Sequence, residues 1–129
     1  MNYKLIILIL VLLSQISTAC QKNKNFKLRF CSDISYSEPC IGEDTIFYGA
    51  SNIWVQLFLD PDFKGDKVSG KLYRFENGTR NFIESKEMAI KPGQAVLMEM
   101  MVIVMDGRFE VEFVDQQGFF LIKKGFEIW

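Results

Sequence analysis

With 129 residues, 49% of them hydrophobic and 14% aromatic, the chain has the length of one domain and the apolar content for a single packed core, which excludes a disordered protein. Its 15 Lys and Arg are balanced by 16 Asp and Glu, so it lacks the basic footprint that phosphate-backbone binding requires, and nucleic acid is excluded as a partner. Histidine is absent, which excludes histidine-dependent triads and the usual catalytic zinc sites.

Residues 1–19 read as a targeting segment. Lys4 provides a small positive region, Leu5 to Leu13 form an uninterrupted apolar run, and Ser17, Thr18 and Ala19 are the small residues a signal peptidase accepts. A bilayer span needs roughly 20 apolar residues, about twice this run, so cleavage is expected rather than a permanent transmembrane helix. The junction Ser17-Thr18-Ala19-Cys20 resembles the lipobox of bacterial lipoproteins, with Ser17 where that family carries Leu, Val or Ile and with Ile16 one place further back. The resemblance implies that the Cys20 thiol receives a diacylglycerol, that the leader is removed, and that the new amino group is acylated. Residues 20–25 then form a lipidated cysteine and a polar tether, QKNKN, reaching roughly 17 Å when extended. The membrane becomes a partner through the N-terminal lipid. Gln21 stands where an aspartate would resemble an inner-membrane retention signal, so the outer membrane of the bacterial envelope is the expected location.

Three cysteines leave one unpaired in an exported chain. If Cys20 carries lipid, as the resemblance implies, Cys31 and Cys40 remain as a pair in an oxidising compartment. The alternative is two free, buried thiols.

From Phe26 onward the hydrophobic period is two. Phe26, Leu28 and Phe30 alternate with Lys27 and Arg29, and Ile53, Val55, Leu57 and Leu59 repeat the pattern with Trp54 and Phe58 on the second face. The stretch DPDFKGD offers Asp60, Asp62 and Asp66 around Gly65, but Lys64 and Lys71 fall where a calcium loop needs oxygen ligands, so an acidic turn is expected and no metal site. KLYRFENGTRNFIES is a hairpin: Asn77-Gly78 suits a two-residue type I′ turn, which sets Tyr73 opposite Phe82, Leu72 opposite Ile83 and Lys71 opposite Glu84. Asn77-Gly78-Thr79 is also a glycosylation sequon, which the turn explains by itself.

Met88, Met98, Met100, Met101 and Met105 cluster in the next stretch, where Glu99 is the one charged residue between Val96 and Met105. A half-exposed strand should be more polar, so Val96, Met98, Met100, Met101, Val102, Ile103 and Met105 are candidate partner-binding residues; complete burial and a soft Cu(I) site are the alternatives. Next, Phe109, Val111 and Phe113 alternate with Arg108, Glu110 and Glu112. As paired carboxylates Glu110 and Glu112 would suit glycoside hydrolysis, but their alternation with apolar residues points to a solvated outer face. The segment MDGRFEVEFVDQQG resembles strand F of immunoglobulin-like and fibronectin type III-like sandwiches, with Phe109 in place of the tyrosine of a tyrosine corner. Turn residues at Asp60-Pro61-Asp62, Lys91-Pro92-Gly93, Asp106-Gly107 and Gln117-Gly118 keep the strands short.

The expected fold is all-β, an immunoglobulin-like antiparallel sandwich of about seven strands over residues 26–129, following the signal peptide; a closed β-barrel is the alternative. The expected function is that of a lipid-anchored, non-catalytic binding module in the cell envelope, with a protein partner and no cofactor. A carboxylate-dependent hydrolase and a Cu(I)-binding envelope protein are the competing classes.

Overall fold

The computed structural model describes residues 25–49 and 51–129; the leader, Cys20 and most of the tether lie outside the described residues. The fold is all-β, a sandwich of two sheets with eight strands and no helix among the described residues: β1 (Lys27–Cys31), β2 (Ile46–Phe47), β3 (Ser51–Phe58), β4 (Lys67–Glu76), β5 (Thr79–Ala89), β6 (Val96–Ile103), β7 (Gly107–Asp115) and β8 (Phe120–Ile128). The small sheet has the order β1-β3-β6 and the large one β2-β8-β7-β4-β5. That is the strand order of an immunoglobulin-like sandwich, in which β7 occupies the strand F position, but among the described residues no fourth strand lies beside β6.

Period-two patterning becomes packing directly. Phe30, Ile53, Val55 and Leu57 of the small sheet face Leu72, Phe109, Val111, Phe113 and Phe126 of the large one, all buried. Phe126 sits at the centre, 4.9 Å from the Phe30 ring and stacked on Phe109 at 5.3 Å. Burying each such ring stabilises the fold by about 1.5–3 kcal/mol. Phe109 thus fills core volume where a tyrosine corner would place a hydroxyl. The described fold starts firmly: Phe26 is buried edge-to-face against Phe63 at 5.4 Å, and the Asn25 amide donates to Asp60.

Three local features differ from the sequence reading. An eighth strand, β2, pairs in parallel with the end of β8. At two residues it is too short to show alternation, and its partner is at the far end of the chain. The hairpin turn has Asn77 and Gly78 both at positive φ, 51° and 76°, and Tyr73 does face Phe82, their rings 5.8 Å apart. Beyond that pair the register shifts, so that Leu72 faces Glu84 and Lys71 faces Ser85, with Ile83 as the extra residue of a β-bulge. The slip sends Glu84, Lys86 and Met88 toward the inner face in register with Leu72, Gly70 and Val68. Finally, Glu110 and Glu112 are not a freely solvated pair: their side chains retain 13% and 17% exposure, and Arg80 reaches from β5 across β4 to bind both.

Candidate functional site

Sites on a sandwich are set by which strand faces remain uncovered. On β6, Leu97 and Ile103 enter the core and Met101 packs against it, whereas Met98, Met100 and Val102 are exposed on the opposite side at 48%, 41% and 65%. Val96 shares that outer side and is half-buried, and Met105 is exposed beyond the strand's end. The structure therefore brings Val96, Met98, Met100 and Val102 together on one face and places Met101 and Ile103 on the other. Cross-strand pairing extends the face inward: Val96 lies opposite Phe58, Met98 opposite Gln56, Met100 opposite Trp54, and Val102 opposite Asn52.

Part of this outer face is covered by the chain itself. Cys31 ends β1 on the outer side, opposite Trp54, and its disulfide to Cys40 holds the loop after β1 against the sheet, with a Cα–Cα distance of 5.4 Å. The loop is further fixed by backbone bonds between Ser32 and Ile41, by the Asp33–Ile41 bridge, and by the Asp44 amide donating to the Phe30 carbonyl. Beneath it Gln56 is only 1% exposed, although it belongs to an outer face. Its polar atoms are satisfied: Oε1 accepts from Arg29 Nε at 2.6 Å, and Nε2 donates to the Pro39 carbonyl at 2.5 Å and lies 3.4 Å from Met98 Sδ. Arg29 in turn stacks over Phe58 at 4.9 Å. The covering stops at Gln56, so Met98, Met100 and Val102, with half-buried Trp54, form an uncovered apolar strip along the edge of the small sheet.

A cleft runs beside that strip, between β6 and β5. Its volume is about 260 Å³; Val55, Leu72, Val111 and Phe113 form its inner wall, and Met88, Met100 and Met101 line its mouth. Gly70 contributes room, since a Cβ there would lie 3.0 Å from the Phe113 ring. Lys86 and Glu99 form an ion pair across the mouth. The hairpin bulge is what makes this contact: in the unbulged register Ile83 and Ser85, not Glu84 and Lys86, would share the inner face.

The other sequence candidates resolve as follows. On the outer face of the large sheet, Arg80 lies 2.8 Å from Glu110, 2.5 Å from Glu112 and 3.5 Å above the Tyr73 ring. Partial burial works against the guanidinium charge, but hydrogen bonds to Glu112 and Glu110 and their negative charge outweigh it, raising its pKa above the ordinary value. Because the ordinary value is already strongly alkaline, the guanidinium stays charged across the neutral range and, on the alkaline side, its contribution is lost as pH rises through the raised value. The two carboxylates are thus held by one cation. Asp60 is buried and spends its oxygens on the amides of Asp62 and Asn25, while Asp66 is bound by Gln116. Among the described residues no three Asp, Glu, Cys or His side chains gather as a metal site. The methionines divide between faces, with Met98 and Met100 outside and Met88 and Met101 packed against the core.

Sequence reasoning missed Gln56, Trp54, Lys86 and the cleft. The one signal for Gln56 was a polar residue inside NIWVQLFLD; the cleft depends on how the sheets stack and on a bulge that no pattern marks.

No protein-family model matches the chain, and no curated protein sequence is similar to it. Among solved structures it is similar to the superoxide reductase (neelaredoxin) from Ignicoccus hospitalis, at 12% identity over 67% of this chain and 76% of that one, with a TM-score of 0.45. A likeness of that strength carries no argument about function.

Proposed function

We propose that the protein is a lipid-anchored lipoprotein of the bacterial cell envelope, in the outer membrane, whose sandwich serves as a non-catalytic binding module for a protein partner. The observation that carries the binding role is the uncovered apolar strip of Met98, Met100 and Val102, continuous with Trp54 and bordered by a stapled loop. Solvated strand faces alternate apolar with polar residues, whereas here both faces of one edge strand are apolar apart from Glu99. The anchor is supported by the leader and by cysteine parity, since the disulfide occupies Cys31 and Cys40 and leaves Cys20 as the odd thiol.

The test is photo-cross-linking in intact cells, with a benzophenone side chain placed in turn at Met98, Met100, Val102 and, as a control on the outer face of the other sheet, at exposed Lys123 opposite Glu112. Adducts to a protein from the three strand positions and none from the control are expected; equal labelling at all four positions, or none, refutes the site. Intact-mass measurement of the isolated protein checks the anchor. A thiol without added mass at Cys20 refutes it.

A further inference from the structure

The binding reading says where a partner meets the domain; the geometry of β6 points to how. In the order β1-β3-β6 the strand has, among the described residues, a hydrogen-bonded neighbour on one side only, and its eight residues form a free edge. Constant-type immunoglobulin sheets place a fourth strand at this position. Here the chain passes from β5 to β6 through the Lys91–Gln94 turn and supplies none.

A free edge presents unpaired N–H and C=O groups, and proteins ordinarily shield such edges with charge, proline or bulges. The two open edges on this side of the sandwich are treated differently. β5 carries Arg80, Glu84, Lys86 and Glu87, contains the extra residue of the bulge, and is exposed along nearly its whole length. β6 carries only Glu99, turned inward to Lys86, and has neither proline nor a register shift. One edge is defended and the other is left receptive.

We propose that β6 accepts an added strand: an extended segment of a protein partner pairs with its free backbone edge and inserts one apolar side chain into the cleft between β5 and β6. The proposal rests on the binding reading above and names the partner's chemistry. Unpaired backbone donors and acceptors in a row are complemented only by another extended backbone. The partner segment carries no proline at the paired positions and has apolar residues at alternate positions, because the side chains of an added strand lie beside Met98, Met100 and Val102 on one face and beside the cleft on the other. At about 260 Å³ the cleft falls below the roughly 300–1,000 Å³ of small-molecule pockets and suits a single large side chain. Its mouth is adaptable, lined by the unbranched thioethers of Met88, Met100 and Met101. The Lys86–Glu99 pair, whose side chains are 62% and 30% exposed, is a surface pair that parts at little cost. Charge also favours this edge: an apolar strand meets repeated charges on β5 and a single paired carboxylate on β6.

The experiment uses the full chain as isolated from expressing cells and a random peptide library displayed on phage. Enriched peptides are synthesised in three forms: as selected, with alternate amides N-methylated, and with the central apolar residue changed to Ala. Binding is read by amide hydrogen exchange. Strand addition predicts enriched sequences with a period-two apolar pattern and no central proline, exchange at residues 96–103 slowed by roughly tenfold or more, loss of protection on N-methylation, and an affinity loss of about tenfold for the Ala form. Absence of enrichment, or binding unaffected by N-methylation, overturns strand addition; the face reading then stands or falls separately on the Met100 cross-link. Protection of 96–103 that develops with protein concentration alone identifies a second copy of the chain as the occupant. The same protection from anionic phospholipid vesicles alone identifies the membrane. Either result overturns the proposal.

Discussion

Reducing the Cys31–Cys40 bond tests the link between the stapled loop and the stability of the face beside it. The half-cystines are 9 positions apart, so releasing the loop restores chain entropy to the unfolded state worth about 2.6 kcal/mol at 25 °C. Replacing both cysteines with Ala adds a packing loss, because Cys31 is 0% exposed and its sulfur leaves a gap of about 1 kcal/mol. The reduced wild type should therefore lose about 2.6 kcal/mol and C31A/C40A about 3–4, from a total of the order of 5–15. For a domain of this size the corresponding fall in Tm is roughly 10–25 °C. Thermal and urea melts of the oxidised chain, the reduced chain and the double variant separate the two contributions, since reduction leaves both sulfurs in place. Hydrogen exchange should also accelerate in residues 32–45, where Pro39 rests on Gln56, and remain unchanged in β7 and β8. Coincident melts for the oxidised and reduced chain would refute the reasoning, because they would mean that the loop is not closed or that its closure does not constrain the unfolded chain.

Other substitutions probe single contacts. Gln56→Ala removes the acceptor of Arg29 and the donor to Pro39 under the loop and should destabilise by about 1–3 kcal/mol; a urea midpoint equal to wild type would show that these groups find water instead. Arg80→Ala leaves Glu110 and Glu112 facing each other without a cation, with a loss of about 1 kcal/mol that added salt partly restores. A loss independent of ionic strength would assign the effect to the Tyr73 stack. Gly78→Ala puts a Cβ at φ 76°, costing about 1–2 kcal/mol by the left-handed penalty, whereas Asn77→Gly should be close to neutral; equal effects in thermal melts would argue against the type I′ turn. Gly70→Val pushes on Phe113 from a Cβ position 3.0 Å away, with an overpacking cost of about 1–3 kcal/mol and loss of room in the cleft. An unchanged melt would show that Phe113 yields freely.

The parts of this fold that are legible from sequence are those set by neighbours along the chain. Phe26-Lys27-Leu28-Arg29-Phe30 and Phe109 to Phe113 read as strands because alternate burial is written in period two, and the Asn77-Gly78 turn reads from the need for two positive φ values. The β6 segment was legible as an anomaly: too apolar for a half-exposed strand, with nothing in the pattern to say that Leu97 and Ile103 turn inward while Met98, Met100 and Val102 remain outside. What was not legible depends on partners distant in sequence. β2 exists because its two residues meet the end of β8, and the Arg80 cluster because β4 lies between β5 and β7. Gln56 is buried only because a disulfide brings Pro39 over it. The bulge at Ile83 has no glycine or proline to mark it, yet it decides that Lys86 rather than Ser85 faces Glu99.

The two sides of the sandwich are closed unequally, and the inequality gives the molecule a direction. On the β1 side, Lys124 crosses from β8 to donate to the Leu28 carbonyl, Asp44 ties the stapled loop to Phe30, and β2 extends the large sheet, so that edge has several separate contacts. On the β6 side an ion pair spans the gap. The described chain enters at Asn25, directly before β1, at the opposite edge of the small sheet from β6. A lipid on Cys20 and a strand added to β6 would then act on different edges, and anchoring would leave binding thermodynamically independent. Shortening the tether should accordingly leave the peptide affinity of the isolated protein unchanged while reducing Met100 cross-links in cells, where reach from the membrane limits encounter. A shorter tether that weakens the isolated interaction as well would place the anchor and the binding edge in contact, contrary to the topology.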